Sequence, residues 1–264
     1  MTDPISQFRK EVPCIADKSN FIRLCCSGPS DVGKSAYIQY LYDEVFKYHY
    51  DLIIVMCKSD DQRLQYKHGM HTNLVYADFR ADVIDKIIQN NRGVKPVRCL
   101  IILDDIIDRA SRWNKSIFDL AISGRHNLIS LCIVCHSLAL LDPVVRNSLS
   151  HLCIPRQTNE LTYEIIFNEY LMMLARCEYP DKTTAEIRRG VTNYMHASTA
   201  NWNILFISLL DIKRTNKSLK QILQITNSRD SEKHSKKEDK IPTVKSGKLE
   251  ETDSETEDTQ EVRE

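Results

Sequence analysis

The sequence predicts an α/β fold, in which a mostly parallel central sheet is flanked by helices and followed by a disordered tail. Short apolar segments alternate along the chain with segments in which apolar residues recur at helical spacing. The short segments are apolar at nearly every position, as expected for strands that are covered on both faces. The end of the chain has almost no apolar residues, so it cannot bury enough surface to become ordered.

Strands and helices follow one another in a regular order. Apolar runs predict strands at residues 21–26, 51–57, 74–77, 97–105, 128–136, 152–154 and 202–210. Helical spacing predicts helices at residues 34–48, around 83–88, at 111–122, shortly after 137, at 160–178 and at 183–195. We therefore expect an N-terminal arm at residues 1–19, one α/β domain over residues 20–226 and a disordered charged tail at residues 227–264.

The formal net charge is zero because 36 basic residues balance 36 acidic ones. The two signs are unevenly distributed, since the segment from Arg229 onward holds 12 acidic and 8 basic residues. The tail therefore carries a net charge of −4 and the rest of the chain a net charge of +4. So mild a charge neither demands nor excludes a nucleic-acid partner.

Most of the nine cysteines lie inside apolar runs, which predicts buried thiols rather than a disulfide framework. Because the N-terminus also lacks a signal-peptide pattern, we expect a reducing, intracellular setting. No apolar run reaches the ~18 residues of a membrane span. Cys132 and Cys135 have the C-x-x-C spacing of zinc ligands, but this spacing on a strand points the two thiols to opposite faces.

The segment GPSDVGKS, residues 28–35, matches the phosphate-binding pattern G-x-x-x-x-G-K-[ST]. Its glycines let backbone amides approach phosphate oxygens, and the following helix N-terminus attracts negative charge. Lys34 is expected to contact the β- and γ-phosphates of ATP, and Ser35 to bind Mg²⁺. The predicted nucleotide-binding residues are Gly28, Pro29, Ser30, Asp31, Val32, Gly33, Lys34 and Ser35. The alternative is a turn that joins strand and helix without a ligand.

The apolar strand LIILDD, residues 100–105, ends in two carboxylates. In phosphate-loop ATPases Asp104 would hold Mg²⁺ together with Ser35. Asp105 would orient the attacking water and act as general base. Neighbouring residues of a strand point to opposite faces, so the two carboxylates can serve metal and water separately. The alternative is a solvated strand end.

The spacing of these motifs indicates the branch of phosphate-loop proteins. Lys34 and Asp104 are 70 positions apart, with at least one further strand between them. This leaves room for a strand inserted between the loop strand and the acidic strand, as in RecA-like ATPases and unlike kinases and GTPases. The adjacent acidic pair favours the same branch. We therefore predict a RecA-like P-loop NTPase domain over residues 20–226, with ATP and Mg²⁺ as ligands.

The segments GPSDVGKS, IILDD and SGRHNLIS, in this order and spacing, resemble the DNA-packaging ATPases of large DNA viruses. These are the poxvirus-type ATPases and their relatives in virophages and Polinton-like elements, within the FtsK–HerA superfamily. The resemblance covers about residues 20–155 well and extends more loosely to about residue 212. It implies a homo-oligomeric ring, expected to be a hexamer, that uses ATP to move double-stranded DNA into a capsid.

The resemblance also carries expectations about setting and partners. Such a motor would act inside an infected or element-bearing cell, in the cytoplasm, a viral factory or the nucleus, or would be associated with the virion. Capsid proteins are expected partners, and a membrane is not. The acidic residues 250–264 are expected to form a passive solvated tail, with nucleic-acid mimicry or capsid binding as the alternative.

In the family, the strand after the GRH segment ends in a glutamine that senses the γ-phosphate. Here His136 stands at that position, which is a departure. Histidine can still donate a hydrogen bond, but its charge varies near neutral pH, so hydrolysis is expected to be slow or sensitive to pH. A register shift by one residue would make Ser137 the sensor, and a histidine without a role is the other alternative.

Several basic residues are weaker candidates. Arg125 and Arg146 could each act across a subunit boundary, because an arginine supplied in trans stabilises charge on the transferring phosphoryl group. DNA contacts with phosphates are expected from residues 58–67 or from Arg188 and Arg189. The alternative for each of these residues is an ordinary solvated surface position.

Two other functions fit the same motifs. One is a different RecA-like ATPase, such as a helicase loader or a partition motor. The other is a structural subunit that binds a nucleotide but hydrolyses it weakly, because His136 replaces the sensor. Asp31, a charged residue where relatives often carry a small one, is expected to point to solvent.

Overall fold

The computed structural model of the chain describes residues 21–70, 72, 74–93, 95–108, 114–158, 160–200, 203–209, 219 and 223–227. The predicted arm at residues 1–19 lies outside these described residues, and so does the predicted tail except for Asn227. Among the described residues, no helix has the length and apolar character needed to cross a membrane.

A single sheet forms the centre of the described part of the chain. Its eight strands are β1 (Arg23–Ser27), β2 (Leu52–Cys57), β3 (Val75–Tyr76), β4 (Cys99–Asp104), β5 (Ile129–Cys135), β6 (His151–Ile154), β7 (Asn203–Ser208) and β8 (Leu223–Asn227). Their spatial order is β3-β2-β4-β5-β1-β6-β7-β8. Strand β7 runs antiparallel to both of its neighbours, and the other neighbouring pairs are parallel.

The helices connect these strands. They are α1 (Lys34–Glu44), α2 (Asp60–Gly69), α3 (Ala81–Asn91), α4 (Lys115–Ser123), α5 (Pro143–Ser148), α6 (Glu160–Ile166), α7 (Met172–Glu178) and α8 (Thr184–Ser198). A π-helical turn, Phe167–Leu171, joins α6 to α7. Short 3₁₀ turns lie at Phe46–Tyr48, Gly124–Asn127 and Leu138–Leu140.

Alternate residues of the central strands face two separate cores, as the continuous apolar runs predict. On one face, Ile102 of β4 packs in the core that also holds apolar residues of α1 and Tyr66 of α2. On the other face, Ile101 and Leu103 pack in the core formed with α3 to α8. The same alternation separates Cys132 from Cys135, so the two thiols of the C-x-x-C segment lie on opposite sides of the sheet.

The strand order confirms the predicted RecA-like layout, because β5 lies between the loop strand β1 and the acidic strand β4. The inserted strand is not one of those between Lys34 and Asp104 in the sequence. Strands β2 and β3 instead extend the sheet beyond β4. The spacing of the motifs therefore predicted that a strand lies between the loop strand and the acidic strand, but it did not predict that this strand is β5.

The elements differ from the sequence-based expectation in several places, and the π-helical turn within the helix predicted at residues 160–178 is one of them. The helix predicted at residues 34–48 ends at Glu44 and is followed by the 3₁₀ turn. Helix α2 was not predicted, although Ser59 and Gln62 have the spacing of a capping box, and Ser59 does accept a hydrogen bond from the Gln62 amide. Strand β8 was also not predicted, and it ends at Asn227, where we placed the start of the tail.

Candidate functional site

The phosphate-loop segment joins the end of β1 to the start of α1. The Gly28 amide donates to the Cys135 carbonyl at 3.0 Å, which ties the loop to the end of β5. A Cβ atom on Gly28 would lie 2.6 Å from Cγ of Pro155, so a larger residue would displace the loop. Gly33 has a φ of +80° and Asp31 a φ of +59°, and this left-handed backbone is favourable for glycine and tolerated by aspartate.

Lys34 begins helix α1 and is buried. Its Nζ atom donates to the Pro29 carbonyl across the loop at 2.7 Å. The loop lines a cleft of about 290 Å³, whose other side is formed by Gln62, Asp105 and His136. The residue types that the motif requires for phosphate binding therefore share one cleft with an acid and a histidine from two other strands.

Asp104, the last residue of β4, lies beneath this loop with 1 % of its surface exposed. The Ser35 hydroxyl donates to Asp104 Oδ2 at 3.0 Å, and the Tyr66 hydroxyl donates to the same atom at 2.6 Å. Burial raises the pKa of Asp104, and the hydrogen bonds from Tyr66 and Ser35 oppose that rise. Its other oxygen, Oδ1, is buried and accepts no hydrogen bond from the described residues.

Asp105 follows directly and leaves the strand with a φ of +49°. Its amide donates to the Val134 carbonyl at 3.0 Å, which holds the turn against β5. His136 Nε2 lies 3.3 Å from Asp105 Oδ2. The structure thus brings together Asp105 and His136, two residues that the sequence predicted separately.

The position of His136 settles which residue after β5 faces the cleft. His136 lines the cleft, and its side chain is half exposed. The Ser137 hydroxyl instead accepts a hydrogen bond from the Ala139 amide at 3.2 Å and caps the following 3₁₀ turn. The alternative register, with Ser137 in the sensor position, therefore does not fit the structure.

Two site residues on α2, Gln62 and Tyr66, were missed by sequence analysis. Gln62 Nε2 donates to Ser35 Oγ at 3.2 Å, and Tyr66 contacts Asp104 as described above. The capping spacing at Ser59 was a signal for the helix, but nothing in the sequence indicates that the helix packs beside Asp104. Gln157 was missed as well, and its Nε2 donates to the Ser27 carbonyl at 2.7 Å, just before the loop.

The two arginine candidates lie in contrasting environments. Arg125 is exposed and belongs to the 3₁₀ turn before β5. That turn is at the opposite edge of the sheet from the cleft, roughly 20 Å away along a seven-residue strand. Its Nε donates to His126 Nε2 at 3.2 Å.

Arg146 is buried instead of solvated, and its guanidinium is bound within the chain. Nη2 and Nε donate to the Glu169 carboxylate at 2.6 Å and 2.9 Å, and Nη1 donates to the Leu141 carbonyl at 2.7 Å. The structure therefore gives Arg146 an internal pairing role, which conflicts with the expectation that it reaches a neighbouring subunit.

The candidate DNA contacts are partly used inside the fold. Arg63 Nη1 donates to the Cys57 carbonyl at 2.9 Å, and Lys58 forms an exposed ion pair with Asp108 at 3.5 Å. The guanidinium of Arg188 lies 5.8 Å from the centre of the Phe167 ring, whereas Arg189 is exposed. Of the segment 58–67, Gln62 and Tyr66 belong to the cleft and its support.

The chemistry of the cleft fits a nucleotide with a divalent cation. A buried lysine and the N-terminus of α1 suit phosphate groups. The Ser35 hydroxyl and the Asp104 carboxylate supply oxygen ligands, which Mg²⁺ prefers. Oδ1 of Asp104, which is buried and has no hydrogen-bond partner among the described residues, is an acceptor that a cation would satisfy.

Among solved structures, this chain is similar to the genome packaging NTPase B204 from Sulfolobus turreted icosahedral virus 2. In complex with ATP-gammaS, that protein is 14% identical, with a TM-score of 0.51 and coverage of 78% of this chain and 97% of that chain. In complex with AMP, it is 13% identical, with a TM-score of 0.52 and coverage of 79% and 98%.

A structure of B204, the DNA-packaging ATPase from Sulfolobus Turreted Icosahedral Virus, is 12% identical, with a TM-score of 0.53 and coverage of 78% and 97%. At such identities the likeness shows a shared fold, which is the predicted P-loop NTPase fold. No curated protein matches this chain in sequence.

The sequence model of the family described as Poxvirus A32 protein matches residues 16–171, which is more than half of the chain. The matched range includes the phosphate loop, both aspartates and the GRH segment. It confirms the resemblance to the poxvirus type that these motifs indicated. The chain therefore belongs to the poxvirus A32 protein family.

Proposed function

We propose that this protein is an ATP-hydrolysing motor that moves double-stranded DNA into a viral or virus-like capsid. The observation that carries ATP hydrolysis is the arrangement around one cleft of Lys34, Ser35 and Asp105, with Asp104 hydrogen-bonded to Ser35 beneath it. This set contains a group for each task of ATP hydrolysis: phosphate binding, cation binding and activation of water.

Each side chain has a distinct role in this proposal. The loop amides and Lys34 bind the phosphates. Ser35 and Asp104 would hold Mg²⁺, which would neutralise charge on the phosphate oxygens. Asp105 accepts the proton of the attacking water. His136 Nε2, at 3.3 Å from Asp105, donates to that carboxylate or to the γ-phosphate and replaces the glutamine of the relatives.

The packaging role is supported by the family and by the similar structures. This chain belongs to the poxvirus A32 protein family, and B204 is described as a genome packaging NTPase and a DNA-packaging ATPase. By analogy the protein acts on double-stranded DNA as a homo-oligomeric ring, proposed to be a hexamer, and meets capsid proteins inside an infected cell. Exposed Arg125, at the edge far from its own cleft, is the candidate for reaching a neighbour's nucleotide.

The test is the rate of ATP hydrolysis with and without linear double-stranded DNA, for the wild-type protein and Asp105→Asn. DNA is expected to stimulate the wild-type rate. Asp105→Asn should lower the rate by about 10²–10⁴-fold, the usual contribution of a general base, while ATP still binds. Asp43→Asn is the matched control, since Asp43 lies on α1 in a partly exposed pair with Lys47 and should keep the wild-type rate.

Each failure has a defined meaning. If the wild-type protein binds ATP but does not hydrolyse it with or without DNA, it is a nucleotide-binding structural subunit and the proposal is wrong. If it hydrolyses ATP with no response to DNA, it is another RecA-like ATPase. A strict monomer in the presence of ATP and DNA would also contradict a ring that encloses a duplex.

A further inference from the structure

Helix α2 brings two polar side chains to the pair formed by Ser35 and Asp104. Gln62 and Tyr66 are four residues apart, so they lie on the same face of the helix. Gln62 donates to Ser35 Oγ at 3.2 Å and Tyr66 donates to Asp104 Oδ2 at 2.6 Å. We propose that Gln62 and Tyr66 are positioning residues that orient these two oxygen ligands for Mg²⁺, an inference that rests on the proposed function.

The hydroxyl of Ser35 is oriented by this arrangement. A serine hydroxyl has one proton and two lone pairs. The Ser35 hydroxyl donates a hydrogen bond to Asp104 Oδ2 at 3.0 Å. One of its lone pairs accepts a hydrogen bond from the side-chain amide of Gln62. Gln62 is itself fixed, because the Cys57 thiol donates to its Oε1 at 3.2 Å. One lone pair of Ser35 therefore stays available to a cation.

The carboxylate of Asp104 is oriented in the same way. Both hydrogen bonds fall on Oδ2, and Oδ1 is buried without a partner among the described residues. Leaving a buried carboxylate oxygen unpaired is costly, so its retention points to a ligand. Tyr66 is 2 % exposed, and its packed ring holds the hydroxyl in place. Without that hydroxyl only the hydrogen bond from Ser35 holds Oδ2, so the carboxylate is less firmly oriented.

The experiment measures the affinity of a fluorescent ATP analogue in EDTA and across a series of Mg²⁺ concentrations. Mg²⁺ is expected to increase the affinity for the nucleotide, and the concentration that gives half of this increase is the quantity compared. Tyr66→Phe should raise that concentration by about tenfold, because it removes a group that orients a metal ligand. Its affinity in EDTA should equal that of the wild-type protein, because the phosphate loop is untouched.

The matched control is Tyr42→Phe. Tyr42 is also a buried tyrosine, and its hydroxyl donates to the Met70 carbonyl at 2.9 Å, just beyond the end of α2. The substitution removes an equivalent hydrogen bond between α1 and the α2 region without touching Ser35 or Asp104. It should leave the Mg²⁺ dependence unchanged.

A second variant keeps the inference testable if Tyr66→Phe does not fold. Gln62→Met preserves the side-chain length at a half-buried position and should shift the Mg²⁺ dependence in the same direction. Gln65→Met, at an exposed position of the same helix, is its control and should behave like the wild-type protein.

The outcomes separate this inference from the proposed function. If both variants match their controls, or if affinity falls equally in EDTA and in Mg²⁺, the positioning role is wrong and ATP binding still stands. If the wild-type protein binds no nucleotide with or without Mg²⁺, the proposed function fails and the inference fails with it.

Discussion

Two aspartates at opposite edges of the sheet show how differently the fold treats a carboxylate. Asp51, just before β2, accepts hydrogen bonds from Arg98 Nη2 at 2.7 Å and Nε at 3.0 Å, and these lower the pKa of Asp51. Asp104, at the end of β4, is buried and its pKa is raised. No basic side chain of the described residues forms an ion pair with it.

One aspartate contributes to the stability of the fold, and the other is kept available for a ligand. The opposite charges of Asp51 and Arg98 form an ion pair. This pair joins the starts of the neighbouring strands β2 and β4. At the end of β4, Oδ1 of Asp104 accepts no hydrogen bond from the described part of the chain, which is unfavourable for folding and useful for binding a cation. Substituting the two aspartates in turn should therefore change stability with opposite signs.

The largest effect is expected for Asp104→Asn. The neutral amide removes the desolvation cost of a buried charge, so the free energy of unfolding without ligands should rise by about 1 kcal/mol. This corresponds to an increase in Tm of about 2–4 °C for a domain of this size. Mg²⁺-dependent ATP hydrolysis should be lost at the same time. Thermal unfolding and an ATPase assay on the same sample measure both, and a lower Tm would contradict the comparison.

Asp51→Asn should act in the opposite direction and more weakly. The pair with Arg98 is partly exposed, so its loss should lower the free energy of unfolding by at most about 1 kcal/mol. Because the folded-state pKa of Asp51 is lowered, its contribution is present at neutral pH and is lost as the pH falls through that lowered pKa. Denaturant unfolding at neutral and acidic pH measures this, and a difference that grows in acid would contradict it.

The smallest effect is expected for Asp31→Ser in the phosphate loop. Asp31 is exposed, although it lines the cleft, and its outward orientation remains a prediction. The substitution should change ATP affinity by much less than tenfold, ~1.4 kcal/mol. Titration with ATP measures it, and tighter binding by more than tenfold would mean that the carboxylate faces the phosphates.

Much of the fold and of the cleft was predictable because its parts are local in sequence. The phosphate loop is one contiguous motif, and Asp104 and Asp105 are marked by the apolar strand before them. The sequence predicted these residues and His136 separately, and the structure brings them to one cleft because the carboxyl ends of parallel strands meet at one edge of a sheet. The structure adds the 3.3 Å contact between His136 and Asp105.

The residues that sequence analysis missed act through contacts between distant positions. Tyr66 meets Asp104 across 38 positions, and Gln62 meets Ser35 across 27. Arg146 was expected at the surface, but Glu169, in the π-helical turn, binds it inside the fold. A hydrogen bond of this kind leaves no periodic pattern in the chain, so neither spacing nor composition could reveal it.

The amino-acid sequence alone was enough to predict an α/β P-loop NTPase with its acidic pair and histidine at strand ends, because motifs and apolar periodicity are properties of neighbouring residues. The three-dimensional packing was needed to show which strand is inserted between β1 and β4, that α2 contacts Ser35 and Asp104, and that Arg146 is bound internally. Those outcomes depend on how the helices and strands pack in space, and packing brings together side chains whose separation along the chain carries no signal.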